Sequence, residues 1–201
     1  MRASVLTDVA RMEVREVERP AVGPRDVVVR PRAVGLCGTD FHIYAGQANY
    51  HADERGAPIP FHVAPQILGH EIAGEVEETG RGVSDLRPGD RVVLDQGLNC
   101  RSAARASLCE YCQSGDSHQC EFYRELGITG LPGGLAEYVV IPAVNGIRVE
   151  ADLEDRVAAL TEPLGCVVHS FDLLARVAQR YVLRGEDEAR SVRGVLLCGA
   201  G

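Results

Sequence analysis

Lysine and tryptophan are absent from this sequence, so all 21 of its basic residues are arginines. A chain without lysine cannot form a Schiff base or present a phosphate-loop lysine, which excludes two large classes of enzyme chemistry. Long apolar runs are missing as well. The stretches Val27 to Val29 and Val195 to Cys198 fall far short of the roughly 18 residues that a membrane span needs. The N-terminus turns charged early and has no apolar segment ending in a small-residue cleavage site. These absences predict a cytoplasmic chain with no membrane partner. Positive charge is scarce too. With 21 basic against 29 acidic residues the formal charge is −8, which argues against a nucleic-acid surface.

What is present is the composition of a globular protein, with 45% hydrophobic and 25% charged residues and no low-complexity run. In a reducing compartment its seven cysteines read as ligands, nucleophiles or packing residues rather than as a disulfide framework. From residue 1 to about 150, Gly and Pro punctuate short β-branched runs: Val27-Val-Val-Arg30, Arg91-Val-Val-Leu94 and Glu137-Tyr-Val-Val-Ile141. These predict many short strands in a barrel or sandwich, with Pro88-Gly89-Asp90 as a turn before the second run and a strand over Ala136 to Ile141. Beyond residue 150 the apolar residues recur at helical spacing, and two helices are predicted, over Leu153 to Leu160 and Leu164 to Tyr181. The chain closes on a predicted buried strand, Gly194 to Cys198, running into Gly199-Ala200-Gly201. A Gly-x-Gly at a strand end opens a dinucleotide-binding turn, although two glycines alone are a weak signal.

Three stretches carry chemistry. Gly69-His70-Glu71, trailed by Gly74, Gly80 and Val83, places adjacent metal-ligand types on a strand. Gly35-Leu-Cys37-Gly38-Thr39-Asp40-Phe-His42 sets a thiol between glycines, with a hydroxyl and an imidazole following. Thr161-Glu162-Pro163-Leu164-Gly165 sets a carboxylate just before a helix. Cys, His and carboxylate are zinc ligand types, and three of them leave a fourth position open. Each stretch alone also has a structural reading: a buried packing cysteine, a hydrogen-bonded histidine, or a glutamate interacting with a helix dipole.

Together and in this order, the three stretches resemble those of the zinc-dependent medium-chain dehydrogenases, the superfamily of alcohol, polyol and threonine dehydrogenases. The resemblance spans residues 3 to 201. It implies a mainly β fold with α, in which a GroES-like β-barrel catalytic domain at 1–160 precedes the first helix and strand of a Rossmann domain at 161–201. Cys37 and His70 are implied to bind a catalytic zinc, with Glu71 and Glu162 supplying the acidic ligand or exchanging for water. Glu162 stands where alcohol dehydrogenases often have cysteine, as in the polyol and threonine branch. Thr39 matches the proton-relay hydroxyl and His42 is a candidate to extend that relay. Gly199 and Gly201 are the candidate cofactor-binding residues, for NAD or NADP.

The run Cys109-Glu-Tyr-Cys112, with Cys120 following, fits the last three ligands of the superfamily's structural zinc lobe, placed here at 97–122. The pattern puts the first ligand at Ala106, so Cys100 is taken as the fourth ligand, with His118 as its competitor and a lobe without metal as the alternative. Cys166 and Cys198 are read as packing, His169 as a helix residue, and Gly127 with the Gly130 to Gly134 stretch as turns. The segment Gln47 to Gln66, which holds His51 and His62, is longer than usual for the family and is expected to shape the substrate cleft. The function implied is NAD(P)-dependent oxidation of a secondary alcohol, polyol or amino-alcohol, with a homo-oligomer expected of the full-length form. The alternative is a truncated or split zinc-binding chain that binds no NAD(P) and transfers no hydride by itself.

Overall fold

The computed structural model describes residues 1–149 and 152–176. The predicted strand Gly194 to Cys198, the turn at Gly199 and Gly201, and Cys198 lie outside these residues, as does the predicted end of the last helix at Tyr181. The chain divides into two compact units, Met1–Glu162 and Pro163–Gly201.

The first unit is mainly β. In chain order its elements are β1 (Arg2–Asp8), β2 (Arg11–Glu16), β3 (Asp26–Gly35), α1 (Gly38–Tyr44), β4 (Gln66–Ile67), β5 (Glu71–Thr79), β6 (Arg91–Leu94), β7 (Gly97–Leu98), α2 (Glu110–Ser114), β8 (Arg124–Glu125), β9 (Val139–Pro142), β10 (Gly146–Arg148) and α3 (Asp155–Ala158), before α4 (Thr161–Arg176) begins. Three antiparallel sheets result, in the orders β2-β1-β4, β10-β6-β5-β3-β9 and β7-β8. Among the described residues no helix is long and apolar enough to cross a membrane.

The predicted run Val27 to Val29 lies in β3, paired on one side with β5 and on the other with β9, and all three valines are fully buried. Val27 and Val29 join Ile72, Val76, Val92, Leu94, Val139 and Ile141 in the principal core. Pro31 cannot donate to a ladder, and β3 accommodates it at a register shift opposite Gly74. A Cβ at Gly74 would meet the Arg30 carbonyl oxygen at 2.5 Å, so this crossing of β3 and β5 requires glycine. The turn at Pro88-Gly89-Asp90 forms as predicted: Gly89 takes φ +92° and the Asp90 amide donates to Arg87 O at 3.0 Å.

Several boundaries differ from the sequence reading. The strand expected over Ala136 to Ile141 is β9, Val139–Pro142, because the chain changes partner there. Ala136 bridges Ala3 of β1, whereas Val139 pairs with Val29 of β3. The helix expected over Leu153 to Leu160 is only the single turn α3, whose neighbour Ala159 packs with Ala158 against Ala73 and Val93. α4 starts at Thr161 rather than Leu164, since a proline in the first turn costs no hydrogen bond and Pro163 sits there. Glu162 is therefore inside the helix and not before it. In the second unit, Cys166 is exposed rather than packed.

Candidate metal centres

The first centre is assembled by the ends of three elements. Cys37 is the N-cap of α1, and the side chain three residues on, Asp40, accepts a hydrogen bond from the Cys37 amide at 2.9 Å. The other Asp40 oxygen accepts from the Gly69 amide at 3.0 Å, so one buried carboxylate fastens the helix start to the loop that carries His70. His70 lies just before β5 and Glu71 is its first residue. The glycines there are steric requirements. Glu71 lies over Gly35, where a Cβ would come within 1.9 Å of its Oε2, and Gly69 takes φ +89°. A Cβ at Gly127 or at Gly133 would come within 2.7 Å or 2.4 Å of the Gly69 carbonyl oxygen, so glycine at these positions also admits the close approach of the Gly69 backbone.

The ligand atoms of Cys37, His70 and Glu71 all lie within 4.8 Å of one another. His70 is buried, and its Nδ1 has no hydrogen-bond partner, the nearest acidic oxygen being Asp40 Oδ2 at 3.6 Å. Burial opposes a charge on His70, but Asp40 and then Cys37 outweigh it and raise its pKa to about 9. Burial likewise pushes the Cys37 thiol up, yet hydrogen bonds with Thr39 and the neighbouring His70 bring it below its ordinary value. Glu71 is pushed above the usual carboxylate range by burial and then by the charge of Glu162. A thiol that ionises readily, an imidazole and a carboxylate converging within ion-binding distance form a donor set that suits zinc.

The remaining expected residues fall around this group. The Thr39 hydroxyl is 3.7 Å from Cys37 Sγ. His42 is exposed on α1, and its Nδ1 is 2.7 Å from Gln47 Oε1. Glu162, in the first turn of α4, accepts a hydrogen bond from Gln96 Nε2 at 2.9 Å. In the Gln47 to Gln66 segment, Asn49 donates to Ile59 O at 2.8 Å and the His51 ring covers Gly130, while His62 is exposed. Two residues escaped the sequence reading. Asp40 had a local signal, its capping position three residues after Cys37, whereas Gln96 had none.

The second centre is a closed group of thiols. Cys100, Cys109, Cys112 and Cys120 are buried together, with all four sulfurs within 4.8 Å of one another. The Cys100 and Cys109 sulfurs stand 3.6 Å and 3.8 Å from that of Cys120. Four sulfurs about 2.3 Å from one ion at tetrahedral angles lie about 3.8 Å apart, so the spacing fits zinc and is far too long for a disulfide. Backbone donation from Cys112 holds Cys109 down to about 6, and burial among the other sulfurs pushes Cys112 up to about 12. Cys100 reaches the group because residues 101–108 loop out: Arg105 N bonds Cys100 O at 3.0 Å and Arg101 reaches Cys112 O at 3.1 Å. The Arg105 guanidinium lies 3.6 Å over the Phe122 ring. His118 is exposed on a 3-10 turn, Ser117–Gln119, outside the thiol group.

With this geometry in hand, the comparisons are specific. The pattern of the alcohol dehydrogenase GroES-like domain matches residues 23–151. L-threonine 3-dehydrogenase of Streptomyces avermitilis is 38% identical over 188 residues, covering 92% of this chain and 46% of the relative. A protein described as a zinc-binding dehydrogenase from Sinorhizobium meliloti 1021, solved with NADP bound, is 35% identical with a TM-score of 0.70, covering 86% of this chain and 45% of that one. Galactitol-1-phosphate dehydrogenase from Escherichia coli is 28% identical with a TM-score of 0.73, over 90% of this chain and 47% of that one. The chain thus spans about half the length of the relatives it matches.

Proposed function

The chain belongs to the alcohol dehydrogenase GroES-like family within the medium-chain dehydrogenase superfamily, and from that premise we propose that it carries the zinc-binding catalytic domain of an oxidoreductase. The reaction proposed is oxidation of a secondary alcohol, polyol or amino-alcohol with NAD or NADP as hydride acceptor. The observation that carries this reading is the convergence of Cys37, His70 and Glu71 beside the Thr39 hydroxyl. The nicotinamide cofactor is drawn from the relatives, one of which holds NADP. Gly199 and Gly201 remain its proposed contacts.

In this reading Cys37 and His70 hold the catalytic metal, Glu71 or Glu162 supplies the carboxylate, and the four thiols hold a structural one. Zinc bound at the first centre supplies Lewis-acid polarisation of the substrate hydroxyl. Thr39 Oγ1 would accept the substrate hydroxyl proton as it releases its own, and His42, exposed on α1, is the proposed group that takes up the released proton and passes it to solvent. Asp40 accepts from both the Cys37 amide and the Gly69 amide, so one carboxylate pre-positions the two segments that carry Cys37 and His70. The four-thiol centre has no open position and contributes folding energy.

The test is nicotinamide reduction by the zinc-loaded protein across a panel of secondary alcohols, polyols and amino-alcohols that includes L-threonine. Turnover that His70→Ala abolishes supports the reading. Turnover that survives His70→Ala overturns it.

A further inference from the structure

Two carboxylates compete for the first centre, and the structure treats them differently. Glu71 lies with Cys37 and His70 in the compact ligand group, whereas Glu162 lies outside that group and its Oε1 is engaged by Gln96 Nε2 at 2.9 Å. Their charges are close enough to act on each other, since Glu162 raises the pKa of Glu71.

The backbone around Gln96 is held from both sides. Buried Asn145 donates through Nδ2 to the carbonyls of both its neighbours, Asp95 O at 3.0 Å and Gly97 O at 3.0 Å. Asp95 N returns a bond to Asn145 O at 2.9 Å, and the Gln96 carbonyl accepts from Leu126 N at 3.1 Å. The residue is clamped on both sides while its neutral amide extends 66 positions along the sequence to Glu162. A neutral donor can hold a carboxylate without neutralising it, so the carboxylate stays available as a ligand if the bond is released.

We propose that Gln96 is a positioning residue that keeps Glu162 in reserve, so that Glu71 is the carboxylate at the metal while the Gln96–Glu162 bond stands. The proposal rests on the reading that Cys37 and His70 bind zinc. Releasing the bond hands the position to Glu162, and the two glutamates then substitute for each other.

Cobalt(II) loading of the full chain tests this, with affinity read by chelator competition and coordination by the visible d–d bands. Glu71→Gln in the parent is expected to weaken binding at the first centre by about tenfold or more, because its substitute is held away. In a Gln96→Leu background the same change is expected to cost less than about threefold, with altered d–d bands as Glu162 enters. Equal losses in both backgrounds overturn the proposal. The thiolate-to-cobalt charge-transfer band of the four-cysteine centre reports that every variant is folded. If the parent takes up one cobalt only, at that thiolate centre, the zinc reading of Cys37 and His70 fails and this inference with it, an outcome distinct from equal losses at an occupied first centre.

Discussion

A Cβ at Gly133 would sit 2.4 Å from the carbonyl oxygen of Gly69, the residue that precedes His70. The last turn before the ligand strand is thus packed backbone against backbone. Gly133→Ala is expected to destabilise the protein by about 2 kcal/mol, as overpacking forces the two segments apart. Gly38→Ala is the control: nothing lies within 4 Å of its would-be Cβ, and as the first residue of α1 it gains about 0.5–1 kcal/mol. Denaturant midpoints of the two variants should move in opposite directions.

Zinc content should be two per chain. Cys37→Ser or His70→Ala should remove one equivalent and leave the other, because the two ligand groups share no residue. Metal analysis of the purified variants decides it. Two equivalents retained in His70→Ala would be incompatible with the first centre.

Cys109→Ser should lower the melting temperature more than it alters the first centre. The four sulfurs form a buried cluster of their own in this lobe, with the partly buried Leu108 and Tyr123 packed against it among the described residues. A closed thiolate site stabilises such a loop directly, and its removal costs several kcal/mol. An unchanged melting curve on chelation would mean that the lobe holds no metal.

The ionisation of His70 gives a pH signature after the first centre has been stripped of metal. Its folded pKa of about 9 lies above the ordinary 6.5. A raised histidine contributes stability that is fully present below 6.5 and is lost as pH rises through about 9. Thermal stability of the stripped protein should therefore fall across that window. Asp40→Asn should flatten the fall, since Asp40 is the principal group that favours the charged ring. Equal slopes in the two proteins would assign the raised pKa elsewhere.

Much of this architecture was legible because its causes are local. Three successive valines are a buried strand wherever a sheet has two occupied faces, and Pro88-Gly89 dictates its own turn. The candidate ligand residues were legible as chemistry, and the resemblance supplied the groups, Cys37 with His70 and Glu71 and the four cysteines, whose donor atoms the structure brings together. Cys100 could be named despite the offset from Ala106 because a looped-out stretch of small residues and arginines lets a thiol travel. What escaped has its cause at a distance. The start of β9 depends on where the chain leaves Ala3 for Val29, and nothing near Ala136 encodes that. Gln96 owes its role to Asn145 and Glu162, which are 49 and 66 positions away by residue number. Cys166 looked like packing because its neighbours are apolar, and apolar neighbours do not establish burial.

The change of partner along residues 136–139 also bears on how the first unit opens. One short segment bridges the sheet that holds β1 and then completes the edge of the sheet that holds β3, so neither sheet can separate without breaking the other's border. Subglobal unfolding is suppressed in such an arrangement. The amides of Val139 and Ile141 should exchange with solvent only when the whole unit unfolds, at the rate set by its global stability, while those on the open side of the exposed edge strand β2 exchange through local fraying.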